Sequence, residues 1–373
     1  MAPTVRGYEL LSCSRSACRG GRTQIPRARG LGCAVVNRRT WTVVSASMLA
    51  LALGVLGATL PVPMVALGPG PTYDTLGVVD GTTVVEVEGL PVHPTTGHLN
   101  MTTVSVTDRL TMFSALALWA SPQNQVVPRE PIYPSNMSLE DIQQQNSAQF
   151  TSSESNAEAA ALAELQLPAT VVVTSLVPET PAAAILQPGD ELLAVGGQPM
   201  SSVREVTDAL APTRPGDLVA VQYRREGEVR DVEVPLAARP DRDQGLLGVI
   251  LGARLRDGDI RISLGGIGGP SAGLMFALAV VDKLTPDDLS GGRFVAGTGA
   301  IEPTGTVTPI NGIPFKMRKA FDEGATVFLV PEANCAEAVA TNPGGLQLVR
   351  VGSLHDAVTA LRSLNTGGPV PAC

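Results

Sequence analysis

The stretch from Gly265 to Leu284 reads GGIGGPSAGLMFALAVVDKL. Five of its first nine residues are glycine, and an apolar run follows. A phosphate-binding loop would need GxxxxGK[ST], closed by a lysine. Here the next lysine is Lys283, about three turns into the following helix. A dinucleotide fingerprint would need a βαβ unit and a later acid, and the spacing does not supply it. No Walker A pattern occurs elsewhere, so no nucleotide is expected. A plainer account is a tight passage into a buried helix. Pro270 suits the first helical turn, and AGLMFALAVV is apolar nearly all round. That account leaves Ser271 unexplained. A serine at a helix start sits among backbone N–H groups without helical partners and at the positive end of the dipole. This is the setting an oxyanion needs. Gly269 and Ala272 flank it as supporting positions.

A nucleophilic serine needs a base. The three histidines, His93, His98 and His355, form no metal pattern and lie in no promising context. Of 27 basic residues only Lys283, Lys316 and Lys319 are lysines, and arginine does not deprotonate in proteins. Lys283 shares the serine's helix and cannot reach back. Lys319 stands among Arg318, Asp322 and Glu323, a solvated face. Lys316 follows Ile313, Pro314 and Phe315, a dry setting. Burial disfavours the ammonium form, which suits a general base. Ahead of Lys316, Phe294–Ile301 and Thr306–Ile310 read as strands joined by the turn EPTG.

GGPSAGLMFAL followed by AGTGAIEPTGTVTPINGIPFK resembles the proteolytic domain of Lon-type proteases. The resemblance implies a nucleophile at Ser271, a base at Lys316 and a supporting threonine at Thr298. Asn311 stands where a glycine is usual, and Gly268 where an acid often lies. ATVFLVPEAN (325–334) and LQLVRVGSLHDAVTAL (346–361) resemble the closing strand–helix units of that fold. VVEVEGLPVHPTTGHLNMTTVSV (84–106) resembles its opening strands, and Phe150–Leu165 its first helix.

Between these parts, TPAAAILQPGDELLAVGGQPM resembles the centre of a PDZ domain. Val203–Leu210 is then the second helix, walling a peptide groove within residues 169–236. Val219–Arg224 and Val229–Leu236 are the closing strands. No G-Φ-G-Φ run precedes Val171, where this reading looks for a carboxylate-binding loop. Such domains bind peptides by strand addition.

Nearer the start, Trp41–Leu60 holds no charge, and about 20 apolar residues are enough to cross a bilayer. Pro61 and Pro63 are expected to end that helix. The first forty residues carry eight arginines against Glu9, a charge of +7, leaving −15 on the rest of a chain whose net is −8. The positive-inside rule then puts the N-terminus in the cytoplasm. A cleaved signal peptide is the rival, but its apolar core is shorter, roughly 7–15 residues. So acidic a body excludes nucleic-acid binding. Of five cysteines, only Cys335 and Cys373 lie in the body. No CxxC occurs and no disulfide framework is expected, though these two could bridge. Beyond the anchor, PGPTYDTLG (69–77) reads as a turn-rich exit, 83–88 and 101–106 as strands, and Arg109–Ala120 as a helix. Ser138 caps a further helix that runs, with a break, to Leu165.

The expected architecture is α+β: an N-terminal transmembrane helix and a Lon-like proteolytic domain with an inserted PDZ domain. The expected boundaries are a basic disordered cytoplasmic tail at 1–40, an anchor at 41–67 and the first part of the Lon-like domain at 68–165. The PDZ domain takes 166–237, the main proteolytic part 238–363, and a tail 364–373. The expected function is an ATP-independent, membrane-anchored serine endopeptidase with a Ser271–Lys316 dyad, facing outside the cytoplasm. It would need no metal and no cofactor, and would act on unfolded or flexible protein substrates. A homo-oligomeric ring is among the expected assemblies. The competing class is a catalytically silent PDZ scaffold at the membrane.

Overall fold

The computed structural model describes residues 38–239, 242–265 and 268–373. Most of the expected basic tail, with residues 240, 241, 266 and 267, lies outside the described residues. The first segment contains α1 (Arg38–Thr59), β1 (Met64–Asp74), β2 (Val78–Val79), β3 (Thr82–Thr83), β4 (Val85–Glu88) and β5 (His98–Thr107). It continues through α2 (Met112–Trp119), β6 (Gln125–Pro128) and α3 (Leu139–Glu164). The middle segment has β7 (Ala169–Leu176), β8 (Glu191–Val195), β9 (Gln198–Pro199), α4 (Val203–Leu210), β10 (Leu218–Arg225), β11 (Glu228–Pro235) and β12 (Val249–Leu255). The last has β13 (Asp259–Ile262), α5 (Gly273–Leu284), β14 (Phe294–Gly297), β15 (Ala300–Ile301), β16 (Val307–Thr308) and α6 (Ile313–Asp322). It ends with β17 (Val327–Pro331), α7 (Cys335–Thr341), β18 (Gln347–Val351) and α8 (Leu354–Asn365).

Helix α1 is long enough and apolar enough to cross a membrane. Its 22 residues span about 33 Å at 1.5 Å per residue. It stops two residues before Pro61, and Met64 already belongs to a strand. The apolar helix therefore ends earlier than residue 67, where the anchor was expected to end. Residues 69–74 are corrected likewise, while 75–77 form the expected turn. Pro69 to Asp74 continue β1, with a register shift between Pro69 and Thr72 that leaves Gly70 and Pro71 without partners on β5.

The main sheet has the order β18-β17-β14-β5-β1-β6. β14 pairs in parallel with β5 on one side and with β17 on the other. β17 is buried along its whole length, as a strand covered on both faces must be. Side chains alternate across it. Leu99, Met101, Val295, Val327 and Leu329 enter the core that contains α3, α5 and α8. Ala296, Phe328 and Val330 enter a separate core with Ile313, Met317 and Ala320 of α6. The layers are thus α5 on one face and α6 on the other. Helix α3 is continuous over 26 residues, opened by a capping box between Ser138 and Asp141, with no break.

The middle segment forms its own sheet, β11-β10-β8-β7-β12, around Val171, Leu192, Val195, Val206, Val221 and Val234. β12 pairs with β7, so this sheet runs past residue 237, where the sequence reading closed it. Residues 364–373 return to the main sheet and are not a free tail. Arg350 N–H donates to the Pro371 carbonyl, and Cys373 is bridged to Cys335.

First and last segments interlock on either side of the middle one. β14 lies beside β5, β13 pairs with β4, and α5 packs on α3. A fragment beginning at residue 237 would leave β14 without β5 and α5 without α3. Expressed alone, it is expected to be protease-sensitive and to show no cooperative unfolding. A resistant, soluble 237–363 fragment would contradict this interlocking.

Candidate active site

Ser271, Thr298 and Lys316 come from different layers and meet beyond the carboxyl end of β14. Ser271 stands just before α5, whose residues Gly273 to Asp282 are all buried. Gly273 permits the approach: a Cβ there would lie 2.7 Å from Ile301 Cγ2 and 2.9 Å from Ser153 Oγ. Ser153 of α3 donates to the Pro270 carbonyl at 3.2 Å. Thr298 follows β14 directly and is fully buried. Its hydroxyl donates to the Ser271 carbonyl at 3.1 Å, and Gly299 N–H donates to the same oxygen at 3.0 Å. The strand end therefore holds the serine's backbone by two bonds. Lys316 arrives on α6 from the other face. The loop before α6 is pinned by Asn334, which accepts from Ile310 N–H and donates to Ile310 O, both at 2.9 Å.

Lys316 Nζ lies 2.7 Å from Ser271 Oγ and 2.8 Å from Thr298 Oγ1. Lys316 is 2% exposed. Burial lowers its pKa from 10.5 to about 7, with no carboxylate contributing. That agrees with Gly268 standing in place of an acid. The Thr298 hydroxyl has one proton, already given to the Ser271 carbonyl, so toward Lys316 it accepts. A neutral amine that donates to Thr298 keeps its lone pair for the Ser271 hydroxyl.

Ser271 and Lys316 open into a cleft of about 400 Å³ lined by Pro71, Tyr73, Met101, Thr103, Val104 and Phe150 besides Gly268, Gly269 and Asn311. The first segment supplies these walls, and Pro71 and Tyr73 were missed as site residues because they read as turn. Gly269 has φ +95°, a conformation that favours glycine. Its N–H donates to Asn146 O at 3.1 Å, so Gly269 shapes the loop and does not point a donor at the cleft. Ala272 caps α5 and is 2% exposed. No histidine lines the cleft among the described residues. His355 pairs with Glu164 at 3.0 Å, and Lys319 with Glu323 at 3.0 Å. Lys283 donates to the Val85 carbonyl.

A second cleft, about 320 Å³, lies between α4 and Gly245–Leu251. Val203, Val206, Thr207 and Leu210, one face of α4, form its wall. The opposite wall begins with Gly245-Leu246-Leu247-Gly248 and continues into β12. This glycine-bounded apolar pair was visible in the sequence, but at the end of the segment, whereas a loop was sought before Val171.

A lysine held neutral by burial destabilises the fold wherever the unfolded chain would keep its proton. Between about pH 7 and 10.5 the unfolded state binds the extra proton, so native stability rises with pH. Lys316→Met is expected to melt higher, its unfolding free energy raised by a margin on the order of a few kcal/mol below pH 7. The margin should shrink as pH approaches 10. Melting curves of both proteins across this range check it.

Residues 125–236 match the PDZ-domain model, and residues 260–356 the Lon protease (S16) C-terminal proteolytic domain. Ser271, Thr298 and Lys316 all fall in the second match. Lon protease 2 of Herpetosiphon aurantiacus is 40% identical over 87 residues, 22% of this chain and 10% of that protein. The chain thus spans about a tenth of that relative's length. The PDZ domain of the SdrC-like protein of Listeria monocytogenes is 26% identical, covering 22% of this chain and 85% of its own, with a TM-score of 0.21. Its counterpart from Listeria innocua is 27% identical, covering 22% and 92%, with a TM-score of 0.21. The chain combines a PDZ domain with a proteolytic domain of the Lon type.

Proposed function

We propose that this chain is a membrane-anchored, ATP-independent serine endopeptidase using a Ser271–Lys316 dyad. The observation that carries the proposal is the buried amine 2.7 Å from the serine hydroxyl, in a chain with only three lysines. Neutral Lys316 takes the Ser271 proton as Oγ attacks the peptide carbonyl, and later returns it to the leaving amine. Thr298 orients the amine through its accepting oxygen. Ser271 and Ala272 N–H, at the head of α5, are the proposed donors to the oxyanion. Pro270 can donate nothing. The acyl-enzyme is then hydrolysed by water, again with Lys316 as base.

The PDZ domain is proposed to be an insertion between α3 and β13, supported by the pairing of β14 with β5 and of β13 with β4. Its groove is proposed to lie between α4 and β12, with Gly245–Gly248 as the carboxylate-binding loop. An extended segment would add to the edge strand β12. The chain then passes through β13 and the glycine loop to Ser271, so groove and nucleophile lie on one continuous stretch. The anchor and the Cys335–Cys373 bridge support placement outside the cytoplasm, where disulfides persist.

An unfolded protein such as casein tests the dyad. Cleavage is expected with the wild type and should fall ~10³-fold or more in Ser271→Ala and Lys316→Ala. Persistence in both variants would refute the dyad, and no cleavage by the wild type would favour the silent scaffold. The rate should rise with pH through a midpoint near 7, because Lys316 must lose its proton first. That midpoint should survive Glu154→Gln and Glu158→Gln, the two carboxyls that burial also holds near 7. A midpoint that moves with either carboxyl would contradict the assignment to Lys316.

A further inference from the structure

Helix α2 is an exposed helix with almost nothing polar on its outer side. Met112, Phe113, Leu116 and Trp119 are 54%, 47%, 58% and 70% exposed. Met112, Leu116 and Trp119 are spaced i, i+4, i+7, so they share one face, with Phe113 beside them. No residue of α2 is buried. From Leu110 to Pro128 the chain carries no charged side chain. Soluble surfaces rarely expose so contiguous an apolar facet without using it.

Charges bracket this excursion at its base. Arg129 donates from Nε to Asp108 at 2.9 Å and from Nη2 at 3.0 Å, clasping both ends of the stretch together. The start of α2 is also tied to the chain leaving the anchor. Pro61 bridges Thr111, and Val62 N–H donates to Leu110 O at 2.7 Å. The apolar facet therefore stands beside the point where the chain departs α1.

We propose that α2 docks on the lipid surface, with its Met112–Leu116–Trp119 face sunk into the headgroup boundary of the leaflet from which α1 emerges. The proposal rests on reading α1 as a membrane anchor. Tryptophan is enriched at such boundaries, and apolar helix faces bury there by roughly 5–10 Å. Eight helical residues span about 12 Å, so α2 lies along the surface and does not cross it. The effect is to fix the protease, already tethered, in one orientation. Strand β1 starts at Met64 and carries Pro71 and Tyr73, cleft residues roughly 20–30 Å further along at about 3.3 Å per residue. The cleft would then stand at a set height over the bilayer, suited to chain segments projecting from it.

The chain has two tryptophans, Trp41 and Trp119, which makes the test direct. The full chain is reconstituted in phosphatidylcholine vesicles containing lipids brominated on the acyl chain. Trp41→Phe leaves Trp119 as reporter, and Trp119→Phe leaves Trp41. Bromolipid is expected to quench Trp119, whose face sits about 5–10 Å into the boundary, with protection from aqueous iodide, while Trp41 is quenched as well. Trp119 open to iodide and unquenched, beside a quenched Trp41, would overturn the docking and leave the anchor standing. Shielding from iodide without bromolipid quenching would show that a protein surface covers α2, and overturns it too. A Trp41 that no bromolipid quenches would overturn the anchor reading itself, and the docking with it.

Discussion

Lys316 reaches the end of β14 from one face of the sheet and Ser271 from the other, and Thr298 joins them there. An amine so deeply buried has no carboxylate to keep it charged, so it sheds its proton near neutrality. Every nearby feature serves that geometry. Gly273 lets α5 press against Ile301 and Ser153, which sets the serine's height. Asn334 fixes the loop from which α6 departs, which sets the lysine's reach. Thr298 spends its proton on the serine's carbonyl and thereby fixes which way the lysine's hydrogen bonds run.

The sheet explains why such a site needs the chain on both sides of the PDZ segment. β5 separates β1 from β14, and the cleft walls at Pro71, Tyr73, Thr103 and Val104 all precede the PDZ segment. The Ser271 loop and α6 follow it. Closing the sheet therefore builds the cleft, because its walls come from one segment and Ser271 and Lys316 from the other. β12 belongs to the PDZ sheet while β13 pairs with β4 of the proteolytic part, so a few residues link groove and catalytic domain.

Ser271 and Lys316 were legible in the sequence because lysine is scarce and the residues before Lys316 are apolar. Thr298 came from motif resemblance alone, and no spacing rule would have found it. The α4 wall came from the PDZ resemblance, and Val203–Leu210 is the helix observed. What escaped was tertiary. Pro69 and Pro71 read as a turn, yet both lie in β1, at a register shift against β5. The polar first half of α3 read as interrupted, although a capping box and packing on α5 carry it through. Gly269 read as a supporting position beside Ser271, but its N–H is taken by Asn146, a residue more than a hundred positions away that no local pattern connects to it. The last ten residues read as a tail, and a disulfide and sheet contacts draw them back.

Titration of the lysines by NMR tests the central claim most directly. With only Lys283, Lys316 and Lys319 in the chain, labelling lysine at Cε gives three signals to follow. One should titrate near pH 7 and disappear in Lys316→Met, while remaining unchanged in position in Ser271→Gly to within about one pKa unit, because burial causes the shift. If the signal lost in Lys316→Met titrates above about pH 9.5, as an ordinary ammonium would, Lys316 is not a neutral base and the dyad account fails.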